Sequence, residues 1–289
     1  IDRHMDLNYD LFLDLTPEFN QAPSQLRQDR SAWHNMKRMS PEQLNTWRDH
    51  YAPKDAEFHK AKLFGKDLVR WKFQRYAKNY LRCVKGVDES VDRLQKELTK
   101  LGLEKNTIVI YSSDQGFYIG DHGWYDKRWM YEESLKMPLI IKWPGVIKSG
   151  SQQTELVQNL DYAQTFLDIA GAQQPKDMQG KSLVPLMKGQ TPQNWRKEIY
   201  YHYYEYPSVH MIPRHYGIRT KRYKLMHFYQ FGDIWEMYDL KKDPDEISNI
   251  YGQKETLQLQ DKLKVRLKNL QKFYEDDSDM TVKEDYLEK

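Results

Sequence analysis

A run of polar side chains follows an apolar, β-branched segment near the middle of the chain. Thr107–Tyr111 reads TIVIY and leads directly into SSDQG at 112–116. In open α/β sheets, ligands bind beyond the carboxyl ends of the strands. The carboxylate of Asp114 and the amide of Gln115 offer oxygen ligands of the kind that Ca²⁺ takes, and Gly116 permits a sharp turn beside them. The spacing alone also fits an ordinary turn that ends a strand, so both interpretations stay open on these residues.

Two basic side chains come shortly after this turn. Lys127 and Arg128 lie among the aromatic residues Trp124, Tyr125 and Trp129. An ammonium group donates to anionic oxygens, and a guanidinium fork suits a sulfate or a carboxylate. The alternative for Lys127 is a solvated surface lysine, which its aromatic neighbours disfavour. The pair is therefore a candidate anion site.

The whole segment 112–145, SSDQGFYIGDHGWYDKRWMYEESLKMPLIIKWPG, resembles the type I, formylglycine-dependent sulfatases of the alkaline-phosphatase superfamily. In that family a Ser-Asp-(His/Asn/Gln)-Gly turn supplies two metal ligands, a lysine downstream binds the sulfate, and a Pro-Leu-Ile strand ends in Trp-Pro-Gly. Further landmarks, among them NLD at 159–161, GKSL at 180–183 and EMYDL at 236–240, extend the resemblance over residues 67–275.

The resemblance implies a role for each matched residue. Asp114 and Gln115 would be calcium ligands, and Lys127 would be a catalytic residue that donates to a sulfate oxygen. A cation and a fixed ammonium near those oxygens stabilise the charge that develops as the S–O bond breaks. The family's Cys/Ser-x-Pro-x-Arg signature, which carries the formylglycine, does not occur here. Cys83 is expected to be a small, buried thiol in a helix.

These departures limit what the chain is expected to do by itself. The nucleophile and the remaining calcium ligands are expected upstream of the matched region. The chain resembles the C-terminal part of a bacterial glycan sulfatase, and it should be inactive alone.

Substrate recognition is assigned to residues that follow the metal turn. Within the family, the run from Asp121-His122 onward is similar to sulfatases assigned to 6-O-sulfated N-acetylglucosamine, a glycosaminoglycan-type sugar. Asp121, His122 and Arg128 are therefore candidate substrate-binding residues. The aromatic stretch 200–215 adds His210, Arg214 and His215, whose heads suit hydroxyl and anionic groups. For the tyrosines of that stretch, a half-buried strand is the favoured interpretation.

The elements that position these residues follow from periodicity. Apolar residues recur at three-and-four spacing from Asp67 to Lys100, which predicts a long helix with one buried face. TIVIY predicts a strand buried on both faces of a mainly parallel sheet. A second strand is predicted at 138–143 and a helix at 160–170. Near the N-terminus, short helices are predicted around 24–38 and 41–51.

From Ile199 the pattern changes to alternation of period two. Strands are predicted at 199–204, 216–219, 223–228 and 236–239, followed by an amphipathic helix at 254–274. The fold class predicted is an α/β/α sandwich of alkaline-phosphatase type plus a small antiparallel α+β C-terminal subdomain. The domain boundary is set between 1–195 and 196–289.

Composition narrows the class of protein. The chain has 289 residues, of which 39% are hydrophobic and 13% aromatic, as in globular proteins. A net charge of +3 on 45 basic and 42 acidic side chains argues against a nucleic-acid partner. No apolar run approaches the ~20 residues of a membrane span, and no export signal is visible. A periplasmic or secreted location is expected only from the family resemblance.

The function expected is hydrolysis of a sulfate ester on a sugar. A phosphoesterase or phosphonate hydrolase of the same superfamily is the enzymatic alternative. A non-catalytic glycan-binding remnant is the alternative of another class. The sugar, the sulfated position and the oligomeric state stay open.

Overall fold

The computed structural model describes residues 38–206, 211–278 and 280. These fall into two compact units: one takes the chain up to Glu97 together with Phe117–Asp126, and the other takes Leu98–Gly116 together with the chain from Lys127 onward. The helix predicted at 24–38 lies outside the described residues except for its last position. The domain boundary at 196 remains a prediction.

Two helices dominate the first unit. α1 spans Pro41–Ala61 and α2 spans Gly65–Lys100, with the last three residues of α2 assigned to the second unit. Ser40 begins α1 with a capping box, because its hydroxyl accepts from the N–H of Gln43 while the Gln43 side chain accepts from the N–H of Ser40. The helices predicted at 41–51 and 67–100 are both confirmed, and α1 runs ten residues further than predicted, to Ala61.

A ring contact and polar contacts hold α1 against α2. The Tyr51 hydroxyl donates to Asn79 at 2.8 Å. The nearly buried Arg75 pairs with Asp55 at 2.8 Å and lies 4.2 Å above the Tyr51 ring. Cation–π contacts of this kind are worth about 0.5–2 kcal/mol, depending on desolvation. The interface therefore uses charged and aromatic groups rather than the apolar stripe of α2.

The apolar stripe of α2 is largely exposed, contrary to the prediction of a buried face. Val84, Val87 and Leu94 are 44%, 46% and 54% exposed. Cys83 is exposed as well, so the expectation of a buried thiol is wrong. The three-and-four spacing identifies which face of a helix is apolar, but it cannot tell what packs against that face. The described residues of this chain leave it uncovered.

A short hairpin completes the first unit. β2 (Tyr118–Ile119) pairs antiparallel with β3 (Tyr125–Asp126) around a 3₁₀ turn at Asp121–Gly123. The Phe117 ring stacks 5.2 Å from Tyr80 of α2.

A two-stranded sheet lies in the second unit. β1 (Val109–Ser112) pairs with β4 (Leu139–Lys142) in antiparallel register, with Ser112 opposite Leu139. The prediction of a strand buried on both faces of a mainly parallel sheet is wrong for this pair, since Ile140 is 65% exposed and Tyr111 is 37% exposed. A β-branched run indicates a strand, but the direction of its neighbour is a long-range property.

The part that follows β4 packs around short helices. α3 spans Glu132–Leu135, α4 spans Asp161–Ile169 and α5 spans Val184–Met187. Leu183, Leu186 and Trp195 form a buried cluster beside Leu139. The helix predicted at 160–170 is confirmed.

A four-stranded antiparallel sheet forms the rest of the second unit. Its strands lie in the order β5 (Glu198–Tyr203), β6 (His215–Thr220), β7 (Tyr223–Phe228) and β8 (Ile234–Asp239), and the four predicted strands are confirmed. A 3₁₀ turn at Lys254–Thr256 leads into α6 (Leu257–Phe273). α6 covers one face of the sheet through a core of five buried residues, Ile218, Leu225, Met237, Leu263 and Leu267. The mixed α/β class is confirmed.

Candidate functional site

The polar turn after β1 is held by backbone contacts with α3. Gly116 donates its N–H to the carbonyl of Ser134 at 2.8 Å. A Cβ on Gly116 would stand 1.9 Å from the Glu133 carbonyl oxygen and 2.5 Å from that of Lys136. Close approach to α3 therefore requires glycine here. The sequence predicts a glycine that permits a sharp turn, but the φ angle of Gly116 is not positive.

The two candidate metal ligands lie within this turn. Asp114 is exposed, and one of its carboxylate oxygens accepts from the Gln115 N–H at 3.1 Å. Gln115 is half-buried. Both offer oxygen atoms, as Ca²⁺ prefers, but Ca²⁺ takes six to eight such ligands. No group of three or more His, Cys, Asp or Glu side chains suited to a metal occurs among residues 38–206, 211–278 and 280. The turn thus fits part of a calcium site.

The backbone on either side of Lys127 is in an unusual conformation. Asp126 has φ of 79° and Arg128 has φ of 101°, although neither is glycine. Residues with a Cβ rarely adopt such angles, and functional sites are where they cluster. Lys127 and Arg128 are both half-buried. The Arg128 N–H donates to the Ser134 hydroxyl at 3.0 Å, and its carbonyl accepts from the Tyr201 hydroxyl at 2.6 Å.

His215 lies in a cluster of rings next to this segment. It is completely buried, and it stacks on Trp129 at 5.7 Å and on Tyr203 at 5.5 Å between ring centroids. Its Nδ1 is 2.8 Å from the Pro213 carbonyl, while its buried Nε2 has no hydrogen-bond partner among the residues that the structure describes. Burial lowers the pKa of His215 to about 4, so the ring is neutral at pH 7. The structure places His215 in the packing behind Arg128, and not on an open surface.

The remaining candidate residues are distributed over both units. Arg214 donates from Nε to the Gln230 side chain at 2.8 Å. Asp121 is exposed and accepts from the N–H of Ile119 at 3.2 Å, while the ring of His122 lies 5.8 Å from that of Trp124. Asp121 and His122 belong to the first unit, whereas Asp114, Gln115, Lys127, Arg128, Arg214 and His215 belong to the second. His210 lies outside the described residues.

A second cluster, which no sequence pattern indicated, lies on the other side of β5. His202 contacts Asp276 at 2.6 Å through Nδ1 and the Tyr229 hydroxyl at 2.9 Å through Nε2. Asp276 also accepts from Tyr200 and Ser278 at 2.5 Å. Burial raises the pKa of Asp276, but these hydrogen bonds outweigh it and hold the pKa well below the usual range. The carboxylate is saturated with donors, which indicates that it fastens the chain after α6 to the sheet.

Comparison with known proteins identifies the segments that carry these features. The model of the sulfatase family matches residues 20–172, and that of the N-sulphoglucosamine sulphohydrolase C-terminal family matches residues 120–273. The second match includes Lys127, α3 and the whole four-stranded sheet.

Individual relatives agree. An N-acetylglucosamine-6-O-sulfatase of Bacteroides thetaiotaomicron is 51% identical over 242 residues, which are 83% of this chain and 43% of that protein. A solved structure of a protein in complex with its substrate D-glucosamine-2-N,6-O-disulfate has a TM-score of 0.88 and 45% identity, covering 96% of this chain and 56% of the other. A multifunctional alkaline phosphatase superfamily protein of Trinickia caryophylli is 29% identical over 207 residues, which are 68% of this chain and 40% of that protein.

The chain spans about half the length of the relatives that it matches. No described helix is both long enough and apolar enough to cross a bilayer. Each of the two family models matches more than half of the 289 residues, and the chain belongs to the sulfatase family of the alkaline-phosphatase superfamily.

Proposed function

We propose that the protein containing this chain is a sulfuric ester hydrolase that acts on sulfated sugars of the glycosaminoglycan type, with 6-O-sulfated N-acetylglucosamine as the first candidate. The observation that carries this proposal is the 51% identity with an N-acetylglucosamine-6-O-sulfatase along 83% of the chain. The structural match to a protein whose complex holds a glucosamine 2-N,6-O-disulfate supports the same substrate class.

In this proposal Lys127 contacts the sulfate group. Its ammonium donates to a sulfate oxygen and gains interaction energy as negative charge collects there in the transition state. Arg128 supplies further donors for the sulfate or for an anionic group of the sugar. Half-burial of both side chains reduces competition from water and so strengthens these contacts.

In the same proposal, Asp114 and Gln115 would supply part of the ligand shell of a Ca²⁺ ion. When bound, the cation would withdraw charge from the sulfate oxygens, and a formylglycine from outside the matched residues would supply the nucleophile. The exposed carboxylate of Asp114 and the half-buried amide of Gln115 provide two of the required oxygen ligands. We therefore expect the chain by itself to be inactive. Asp121, His122, Arg214 and His210 remain candidates for sugar contacts.

The neutral His215 would have a structural role. Because it is fully buried against Trp129 and Tyr203, in this proposal it stabilises the packing next to Arg128. Export to the periplasm or the medium is proposed for the enzyme, since extracellular glycans are its expected substrates. Cell fractionation with an antibody against this chain tests that location.

The enzymatic alternative is a phosphoesterase or phosphonate hydrolase. The match to a multifunctional alkaline phosphatase superfamily protein supports this alternative. Phosphate and sulfate esters share a tetrahedral shape but differ in charge, so the alternatives separate by assay. A non-catalytic glycan-binding protein is the third candidate and predicts sugar binding without turnover.

The experiment uses the longest polypeptide that the gene encodes. Release of sulfate from N-acetylglucosamine 6-sulfate is compared with release of phosphate from the corresponding 6-phosphate. We expect sulfate release, reduced about 10²-fold in kcat/KM by Lys127→Ala and unchanged by the exposed control Lys242→Ala. Phosphate release without sulfate release would overturn the proposal.

A further inference from the structure

The segment that carries Lys127 is held in place at Arg128. With φ of 101°, Arg128 has a backbone conformation that a residue with a Cβ adopts only when its surroundings enforce it. Asp126, on the other side of Lys127, has φ of 79°. A relaxed loop would not keep two such angles in three residues. Contacts at Arg128 are therefore expected to help fix this backbone.

Both polar groups of the Arg128 backbone are occupied. The N–H donates to the hydroxyl of Ser134 at 3.0 Å, and the carbonyl accepts from the hydroxyl of Tyr201 at 2.6 Å. Ser134 is 5% exposed and belongs to α3, whereas Tyr201 belongs to β5. Two separate elements, α3 and β5, therefore hold Arg128 through its N–H and its carbonyl group.

Ser134 also holds the candidate metal turn. Its carbonyl accepts from the N–H of Gly116 at 2.8 Å, while its side chain accepts from Arg128. A single buried residue therefore connects the turn that carries Asp114 and Gln115 with the segment that carries Lys127. Any displacement of α3 would move both groups together.

Tyr201 is itself rigidly placed. It lies within the paired part of β5, opposite Gly217 of β6, and its ring packs 5.6 Å from the buried ring of His215. His215 in turn stacks on Trp129, the residue after Arg128. The hydroxyl thus reaches the Arg128 carbonyl from a strand and a ring cluster that have little freedom to move.

We propose that Ser134 and Tyr201 are positioning residues for sulfate hydrolysis: they hold the Lys127–Arg128 backbone in its strained conformation and in register with the Asp114–Gly116 turn. This proposal rests on the proposed function, because it assigns a purpose to the position of Lys127. Neither side chain needs to touch the substrate. Loss of either hydroxyl removes one of the two contacts and lets the segment relax.

The test compares Tyr201→Phe and Ser134→Ala with the control Tyr203→Phe in the longest polypeptide that the gene encodes. Tyr203 lies on the same strand, and its hydroxyl donates to the exposed Glu205 at 3.0 Å. Hydrogen–deuterium exchange over residues 127–131 reports the backbone, and kcat and KM for N-acetylglucosamine 6-sulfate report the reaction. Thermal melts establish that each variant is folded.

We expect faster exchange at 127–131 in both variants and about a tenfold or greater fall in kcat, because a misplacement of an ångström can cost on the order of 10²-fold. KM should change less than about twofold if ground-state binding is retained. The control should match the wild type in both measurements.

Three results would separate the possibilities. Unchanged exchange in Tyr201→Phe would overturn the positioning role, and so would faster exchange with unchanged kcat. A wild-type protein without sulfatase activity would instead overturn the proposed function. In that case the exchange comparison alone would decide whether the two hydroxyls hold the segment.

Discussion

The carboxylate of Glu132 accepts two hydrogen bonds from the guanidinium of Arg219, at 3.2 and 2.8 Å, and so joins α3 to β6. The ammonium of Lys224, which is fully buried, lies 2.9 Å from Glu132 and 2.8 Å from Glu246. Burial raises the pKa of Glu132, but the hydrogen bond from Arg219 and the charge of Lys224 outweigh it and hold the pKa at about 2. The positive charges of Arg219 and Lys224 thus balance the negative charges of Glu132 and Glu246 next to the candidate site.

Removing the central cation should destabilise the fold strongly. Lys224→Met removes the cation that pairs with the buried carboxylate of Glu246, which keeps the Glu132 N–H as a hydrogen-bond donor. Breaking a buried ion pair in this way costs about 3–5 kcal/mol. The free energy of unfolding, measured with urea, checks the prediction. Lys242→Met, at an exposed lysine, should change it by less than about 0.5 kcal/mol. Equal urea midpoints for Lys224→Met and wild type would show that the network contributes nothing.

Gly116 should not tolerate a methyl group. Gly116→Ala would place Cβ 1.9 Å from the Glu133 carbonyl, so the turn or α3 has to move, at a cost of roughly 1–3 kcal/mol or more. Gly86 is the matched control, because it lies inside α2 with open space around the position of a Cβ.

The control should shift in the opposite direction. Gly86→Ala is expected to stabilise by about 0.5–1 kcal/mol, since alanine loses less backbone freedom in a helix. Thermal unfolding of the two variants checks both signs. A stabilised Gly116→Ala variant would rule out the close approach to α3.

The buried His215 should make stability depend on pH. Its pKa is lowered by burial from 6.5 to about 4 in the folded chain. Between these values the unfolded chain binds a proton that the folded chain does not, so stability falls as the pH falls from 6.5 to 4. The lowering corresponds to roughly 3 kcal/mol at most.

A non-titrating variant isolates this contribution from those of His202 and His227, whose pKa values burial also lowers. His215→Asn keeps a donor for the Pro213 carbonyl but cannot take up the proton. Between pH 7.5 and pH 4, the free energy of unfolding should fall more in the wild type than in the variant. Parallel curves would contradict a depressed pKa at His215.

The exposed thiol gives a direct test of the uncovered helix face. Cys83 is the one cysteine of the sequence, so labelling reports on a single site. In the 289-residue chain we expect a thiol reagent to label Cys83 to about one equivalent without denaturant, at nearly the rate of the unfolded chain. Labelling that requires denaturant would show that the α2 face is covered in solution.

Local patterns predicted the elements well, and long-range pairing accounts for what they missed. The strands at 199–204 and 223–228 were predicted because alternation of period two and turn residues are properties of neighbours in sequence. The antiparallel pairing of β1 and the exposure of Val87 were not predicted, because both depend on which distant residues are present.

The candidate site shows the same division. A motif indicated Asp114, Gln115 and Lys127, whose roles remain predictions. Nothing local indicated Tyr201, which contacts Arg128 across 73 positions of sequence. A tyrosine in an alternating strand predicts a packing role, and only the structure shows that its hydroxyl donates to the carbonyl of the strained residue Arg128.

Calcium binding by the chain itself should be weak. Asp114 and Gln115 supply two oxygen ligands, and residues 38–206, 211–278 and 280 contain no group of three or more His, Cys, Asp or Glu side chains that could hold a metal. Because Ca²⁺ sites with six to eight ligands reach dissociation constants of about 10⁻³ M at their weakest, we expect a value above roughly 10⁻³ M here. One millimolar Ca²⁺ would then stabilise the fold by less than about 0.4 kcal/mol, which calorimetric titration and thermal melts can check. Asp114→Asn should alter neither measurement detectably, and submicromolar binding lost in that variant would show that the chain carries a complete site.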